Sequence, residues 1–189
     1  MNTLEAASGV EFSNNGLLDS LTGAPAPKTF FDNLSREISK SKRKFQPISI
    51  VTVKLLPSPA RSVPSARSVA SARSVASARS VPSARSVASE YEKELVAIGH
   101  CLKSNMRGGD FYSRIAENGF WICLQGDIVE AQRAAERFSL TISKGNQSKD
   151  PNVLLLNVPR AEFSLSEWNG KSNPAEWIQE IDLRYFTKA

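Results

Sequence analysis

The apolar residues in the first third of the chain change their spacing near residue 47. Between residues 29 and 45 they recur at helical spacing, which predicts an amphipathic helix whose buried stripe is formed by Phe30, Leu34, Ile38 and Phe45. Pro47 ends that helix, because proline cannot continue the backbone hydrogen bonding. Residues 48–56 (ISIVTVKLL) are rich in β-branched and aliphatic side chains and predict a central strand.

A second helix and a hairpin are predicted between residues 89 and 124. The helix has an apolar stripe, and Gly108 and Gly109 close it. The members of that stripe are Tyr91, Leu95, Ile98 and Leu102. Asn118-Gly119 lies between two runs of β-forming residues in RIAENGFWICL, residues 114–124. Because both residues adopt positive φ easily, this pair predicts a tight hairpin turn.

The last third of the chain predicts two more helices and two more strands. Asp127 and Glu130 fit a capping box for a helix over residues 128–138. LTISKG (140–145) and NVLLLNV (152–158) predict strands. A last helix from 174 to about 186, opened by Asn173 and Pro174, is expected to bury Trp177, Ile181 and Phe186. The order of elements favours an α+β fold, with helices against a largely antiparallel sheet.

The net charge of +5 comes from one segment. Residues 60–89 are five copies of a hexapeptide, ARSVPS or ARSVAS, without an acidic residue. Their five arginines equal the whole excess of 24 basic over 19 acidic residues. Valine at every sixth position builds no continuous apolar face, and Pro64 and Pro82 interrupt a helix or a strand. We therefore expect residues 57–89 to form a disordered low-complexity insert within a single domain.

Composition argues against several classes of protein. No run of 18 apolar residues occurs, so we expect no membrane span. Residues 1–16 lack a signal-peptide pattern and predict a flexible N-terminus. The two cysteines, Cys101 and Cys123, and the single histidine, His100, lack the spacing of a zinc site. We therefore expect a cytoplasmic protein with reduced thiols, no bound metal and no cofactor.

Several stretches resemble GGDEF domains, the domains of diguanylate cyclases. DSLTG (19–23) before an amphipathic helix is similar to that family's DxLTG opening, the strand 48–56 to its first strand, and residues 95–124 to the segment that ends in its signature. On that register the five signature positions hold Ala116, Glu117, Asn118, Gly119 and Phe120. LTISKG resembles the later TxSxG strand, and after residue 150 the resemblance fades. It implies a ferredoxin-like, palm-type domain over residues 17–189, interrupted by the insert.

The same resemblance implies that cyclase activity is lost. In this family Mg²⁺ is held by an acid ending the first strand and an acid at the third signature position; these positions are Lys54 and Asn118 here. A cation and a neutral amide cannot hold Mg²⁺ among phosphates. Ala116 and Glu117 replace the signature glycines, and the insert lies where the FKxxND segment should be. We therefore expect no enzyme, with Lys54, Ala116, Glu117, Asn118 and Gly119 as the replaced positions.

One feature of the family is retained. Its RxxD motif, upstream of the signature, binds the product cyclic di-GMP; Arg107 and Asp110 keep that motif, and Arg114 stands at a family arginine that could assist or stack on a base. An arginine can donate two hydrogen bonds to guanine, and an aspartate can accept from its N–H groups. The structural alternative is that Arg107 complements the dipole of the last helical turn and Asp110 accepts backbone N–H groups.

Two classes of function follow from the sequence. The first is a catalytically inactive GGDEF-like domain of bacterial-type signalling, acting as a cyclic di-GMP receptor through Arg107, Asp110 and Arg114 or as a regulatory partner of signalling proteins. The second is a non-enzymatic interaction module whose basic tether binds acidic partners or nucleic acid. Nucleic acid is the less favoured partner, because the repeat has no aromatic residues between its arginines.

Overall fold

The structure is a computed structural model of the chain, and it describes residues 13–56, 84–145 and 160–187. In chain order its elements are α1 (Pro27–Lys44), β1 (Ile48–Leu56), α2 (Ala84–Asn105), β2 (Phe111–Ala116), β3 (Gly119–Leu124), α3 (Ile128–Gly145), β4 (Arg160–Trp168) and α4 (Pro174–Thr187). Among these ranges no helix combines the length and the apolar character needed to cross a bilayer.

The four strands form one antiparallel sheet in the order β2-β3-β1-β4. Strand β1 lies in the middle, with Lys54 opposite Gly119 of β3 and opposite Glu162 of β4. Each of the helices α2 and α3 connects two strands that have another strand between them. This is the split βαβ arrangement of ferredoxin-like folds. The predicted α+β fold with a largely antiparallel sheet is therefore confirmed.

Both faces of the sheet are covered, which explains why β1 reads as a nearly continuous apolar run. One face packs on α2 and α3, with a core that includes Val51, Val53, Leu55, Leu95, Ile98, Leu102, Ala131 and Phe138. The other face packs on α1 and α4, with a core that includes Phe30, Leu34, Ile38, Ile50, Trp121, Trp168, Trp177 and Ile181. The predicted buried stripes of the second and last helices are confirmed. Their buried members are Tyr91, Leu95, Ile98 and Leu102 in α2, and Trp177 and Ile181 in α4. The side chain of Phe186 lies outside the described residues.

Helix α1 confirms the predicted stripe except at its end. Phe30, Leu34 and Ile38 are buried, but the helix stops at Lys44 and Phe45 is 93% exposed with a φ of +54°. Ser41 takes the last buried position, and its Oγ donates to the carbonyl oxygen of Gln46. The prediction that Phe45 extends the stripe is wrong, because the turn into β1 rotates this residue out of the helical register.

Helix α2 begins inside the repeat. The fifth copy, residues 84–89, is helical, so the predicted limit of the disordered insert at residue 89 is wrong at this end. That copy contains no proline, and alanine and arginine favour helix. The other copies lie outside the described residues. At its C-terminal end α2 stops at Asn105, before Gly108 and Gly109.

The hairpin forms one position earlier than predicted. Ala116 pairs with Gly119, so the turn is Glu117-Asn118, and Gly119 is the first residue of β3. In the described part of the chain, Phe45 is the non-glycine residue with positive φ, and Gly119 is absent from the positive-φ glycines. The predicted turn with positive φ at Asn118 and Gly119 is therefore wrong. A register shift between Arg114 and Ala116 places an extra residue in β2, which changes the alignment of the turn.

The region after residue 138 differs most from prediction. LTISKG is not a strand but the last part of α3, in which Ile142 continues the buried face begun by Ala131, Ala134 and Phe138. The predicted strand at 152–158 lies outside the described residues. Strand β4, which prediction missed, alternates Ala161, Phe163 and Leu165 with polar residues, as a half-buried strand does. It completes the sheet by pairing with the whole of β1.

Candidate functional site

The sequence-predicted pair Arg107 and Asp110 lies in one tight turn between α2 and β2. The backbone N–H of Asp110 donates to the carbonyl oxygen of Arg107 at 3.1 Å. Gly109 has a φ of +102°, and a β carbon there would lie 3.1 Å from Nε2 of Gln125. The positive φ favours glycine at this position, and the Gln125 side chain would have to shift slightly to admit a β carbon. Arg107 is exposed and lies two positions beyond the end of α2, so the predicted placement in the last helical turn is wrong.

Asp110 is half-buried just before β2, and Gln125, the residue after β3, contacts it from the side. Its Oδ1 accepts the backbone N–H of Gln125 at 3.2 Å. Burial raises the pKa of Asp110, while hydrogen bonds from Gln125 and Arg107 and the charges of Arg107 and Arg137 act in the opposite direction. Both of these hydrogen bonds come from backbone N–H groups, and among the described residues no side chain donates to the carboxylate. The backbone thus fixes the carboxylate, and no side chain of the described residues competes with an external donor for it.

A second arginine, Arg137 of α3, stands near this turn, and sequence reasoning did not select it. Its Nη2 donates to the carbonyl oxygen of Asn105 at 3.2 Å, and its charge acts on Asp110. Its Nε is buried without a hydrogen-bond partner in the part of the chain described. No local motif marks Arg137, because only the packing of α3 against α2 brings it to the turn. We call Arg107, Asp110 and Arg137 the α2–β2 turn site.

Arg114 does not join that site. Its side chain is fully buried, and Nη1 lies 3.0 Å from Oδ2 of Asp19, which is also buried. Its Nη2 donates to the carbonyl oxygen of Glu117 at 2.7 Å. The suggestion that Arg114 assists a ligand or stacks on a base is therefore corrected: in this structure its guanidinium faces the interior, because Asp19 of DSLTG neutralises it there.

The DSLTG segment is a compact loop built around Asp19. Oδ1 of Asp19 accepts the backbone N–H of Thr22 at 2.7 Å and also the hydroxyl of Thr22. The loop packs closely on α2, since a β carbon at Gly99 would lie 3.2 Å from the β carbon of Thr22. The ion pair between Asp19 and Arg114 therefore joins the loop before α1 to strand β2 of the hairpin. Residues 13–16 are also held against this loop, since Oγ of Ser13 lies 2.7 Å from Oγ of Ser20 and the N–H of Gly16 donates to Oδ1 of Asn14.

The hairpin tip gathers the positions at which the family resemblance implies catalysis. Lys54 is opposite Gly119, and the N–H of Leu55 donates to the carbonyl oxygen of Asn118 at 2.8 Å. Strand β1 and the turn Glu117-Asn118 are therefore joined where Mg²⁺ would lie in a cyclase. The side chains present there are the ammonium group of Lys54, the amide of Asn118 and the carboxylate of Glu117, a donor set that does not fit a metal bound among phosphates. Among the described residues no group of three potential ligands could hold a metal ion.

The hairpin tip and the α2–β2 turn site are separate. Phe111 pairs with Cys123 at one end of the hairpin, and Ala116 pairs with Gly119 at the other. At ~3.3 Å per residue, the two ends of β2 are about 17 Å apart. The fold therefore presents two distinct regions, the hairpin tip at one end of the sheet and the α2–β2 turn site at the other.

Comparison with known proteins was informative for structure alone. No family model matches the sequence, and no curated protein matches it. The solved structures that it matches include the GGDEF domain of DgcB from Caulobacter crescentus in complex with cyclic di-GMP. That match has a TM-score of 0.67 and 9% sequence identity, and it covers 94% of this chain and 92% of that one.

Two further structures come from Pseudomonas aeruginosa. The GGDEF domain of TpbB (YfiN) has a TM-score of 0.63 and 13% identity, and the match covers 90% of this chain and 87% of that one. Diguanylate cyclase SiaD in complex with its activator SiaC has a TM-score of 0.62 and 16% identity; the match covers 90% of this chain and spans 56% of that one. With this sheet order and these neighbours, the chain has the fold of the GGDEF domains of diguanylate cyclases.

Proposed function

We propose that the chain is a signalling domain that does not synthesise cyclic di-GMP but binds it at the α2–β2 turn site, and so regulates a protein partner. The observation that carries the proposal is the pairing of an exposed arginine and a half-buried aspartate on one glycine-dependent turn. In support, DgcB is a GGDEF domain seen with cyclic di-GMP, and SiaD is a cyclase seen with an activator protein.

The chemistry of the turn suits a guanine dinucleotide. The exposed guanidinium of Arg107 can donate two hydrogen bonds to the Hoogsteen edge of guanine. The carboxylate of Asp110, which has lone pairs on both oxygens, can accept from guanine N–H groups while Gln125 holds Oδ1 in place. Arg137 adds a second positive charge beside the turn, which favours a phosphate. Base recognition and charge neutralisation then come from three side chains held by two helices and the sheet.

The absence of catalysis is proposed from the hairpin tip. Joining two GTP molecules requires a metal that neutralises the triphosphate, and carboxylates must hold that metal. Lys54 places a positive charge directly opposite the tip instead, and Asn118 offers a neutral amide. Glu117 is the carboxylate left in the turn, and its backbone is fixed by Arg114. A receptor needs none of the lost groups, since the α2–β2 turn site lies at the other end of the hairpin.

A comparison of nucleotides tests both halves of this proposal. Incubation with GTP and Mg²⁺ or Mn²⁺ should yield no cyclic di-GMP above a protein-free blank. In thermal unfolding, cyclic di-GMP at 100 times its Kd should stabilise the protein by about 2.7 kcal/mol, whereas cyclic di-AMP and GTP at the same concentration should have little effect. Synthesis of product would contradict the first half, and equal stabilisation by cyclic di-AMP would contradict recognition of guanine.

A further inference from the structure

The turn that joins α1 to β1 ends in an aromatic side chain that the fold does not use. Phe45 is 93% exposed, and its φ of +54° lies in the left-handed region. This is the C-terminal cap position at which helices usually place glycine, because a β carbon is unfavourable there. A bulky residue with positive φ is an outlier that calls for a reason. Packing does not supply one, since the ring faces solvent.

The surroundings of Phe45 are basic. Lys42, Arg43 and Lys44 form the last turn of α1, and all three are exposed. Nζ of Lys42 lies 5.6 Å from the centre of the Trp168 ring, which fixes this turn against the end of β4. We call residues 42–45 the basic-aromatic tip.

Three carboxylates near this end of the sheet are engaged within the fold. Glu37 pairs with Lys40 at 3.1 Å and accepts from Nε2 of Gln125. Asp127 and Glu167 accept backbone N–H groups from the first turn of α3. In the described part of the chain no ion pair involves Lys42, Arg43 or Lys44, so their charges can act on an external partner. The tip is also held rigidly, because Ser41 bonds to Gln46 just beneath it and Pro47 stiffens the exit into β1.

We propose that the basic-aromatic tip docks on an anionic lipid surface, with the Phe45 ring in the interface and the cations among the headgroups. The Phe45 side chain extends almost fully into solvent, so it suits a fluid surface that needs no complementary pocket. The anionic headgroups of an acidic bilayer attract the cations of the tip. The aliphatic stems of these cations can lie along the apolar boundary. Single-stranded nucleic acid is the weaker match, because it needs several aromatics along a groove. The inference is independent of the proposed function.

The test uses the full chain with Phe45→Trp. Native Trp121, Trp168 and Trp177 are buried, so the added indole dominates the solvent-exposed emission. With vesicles of phosphatidylcholine and 30% phosphatidylserine, the emission should shift to shorter wavelength, and brominated lipid should quench it. Pure phosphatidylcholine vesicles should produce neither effect. Binding to the anionic vesicles without shift or quenching would overturn the proposal, and so would the absence of binding. A shift with polyuridylate but not with vesicles would assign the tip to nucleic acid instead.

Charge variants separate the tip from the repeat, whose arginines are unchanged in all of them. Arg43→Gln with Lys44→Gln should weaken vesicle binding about 25-fold, from about fivefold per cation. Lys93→Gln with Lys103→Gln removes the same net charge from exposed positions on α2 and should weaken binding less than threefold. Phe45→Ala should weaken it about tenfold in co-sedimentation. Equal losses for the two charge pairs would mean that only net charge matters, which contradicts a docking tip.

Discussion

Asp19→Asn tests the buried ion pair that joins the DSLTG loop to the hairpin. Both side chains of the pair are fully buried, and Nη1 of Arg114 lies 3.0 Å from the Asp19 carboxylate. Asparagine keeps an oxygen that can accept from Thr22 but removes the negative charge. The substitution therefore leaves the guanidinium of Arg114 buried with its counter-charge gone.

The expected loss is large. Removing one partner of a buried ion pair costs about 3–5 kcal/mol, because the other charge is left uncompensated in the interior. Arg114 keeps its hydrogen bond to the carbonyl oxygen of Glu117, so we expect the lower end, about 3 kcal/mol. For a chain of this length that corresponds to a fall in Tm of about 6–12 °C.

Urea unfolding of wild type, Asp19→Asn and Asp32→Asn measures the difference. Asp32 pairs with Lys28 on the surface of α1 at 3.2 Å, where the side chains are 54% and 81% exposed. An exposed pair of this kind contributes at most about 0.5 kcal/mol, so Asp32→Asn is the matched control. Arg114→Met added to Asp19→Asn should recover part of the loss, because no unpaired charge then stays buried. If Asp19→Asn cost no more than Asp32→Asn, the buried pair would not hold the loop to the hairpin.

Three further predictions concern stability. Phe45→Gly should raise the free energy of unfolding by about 0.5–1 kcal/mol in urea, because glycine relieves the left-handed backbone; Phe45→Ala, which keeps a β carbon, should not, and equal effects would argue against strain. Burial raises the pKa of Asp110, so ionisation of its carboxyl group opposes folding. The stability that the protonated carboxyl group contributes is fully present below about pH 4 and is lost as the pH rises through the folded pKa. Urea unfolding of Asp110→Asn from pH 3 to 7 should lack that decline, and parallel curves would refute it. Deleting residues 66–83 should leave Tm nearly unchanged in calorimetry and reduce polyanion binding, whereas unfolding would show a structural role for the repeat.

Local pattern was sufficient where one periodicity held without competition. The apolar stripe of α1 and the β-branched run of β1 were predicted because both are long and their neighbours agree with them. The pattern failed in LTISKG, where Leu140 and Ile142 alternate as in a strand. In the helix that forms, Ile142 packs and Leu140 is 59% exposed, because the face begun by Ala131 continues. The two strands predicted at 140–145 and 152–158 left β4 out of the sequence-based prediction.

The candidate site divides in the same way. Arg107 and Asp110 are close in sequence, and the glycines between them indicated a turn, so their proximity was predictable. Arg137 reaches the turn only through helix packing, and Arg114 is buried by Asp19, which lies 95 positions earlier in the chain. No spacing rule within a motif encodes such contacts. Phe45 is the opposite case. Its aromatic side chain and its spacing fit the apolar stripe of α1, but its backbone has left the helix.

Calorimetric titration of cyclic di-GMP into wild type, Arg107→Ala and Arg133→Ala tests the central claim most directly. Arg133 is exposed on α3 one turn before Arg137, so its removal changes the net charge equally but leaves the α2–β2 turn site intact. The account predicts micromolar binding to wild type, a loss of about 10–100-fold for Arg107→Ala from ~1.5–3 kcal/mol, and a change below twofold for Arg133→Ala. No heat of binding at hundreds of micromolar ligand, or equal losses for the two arginine variants, would contradict it.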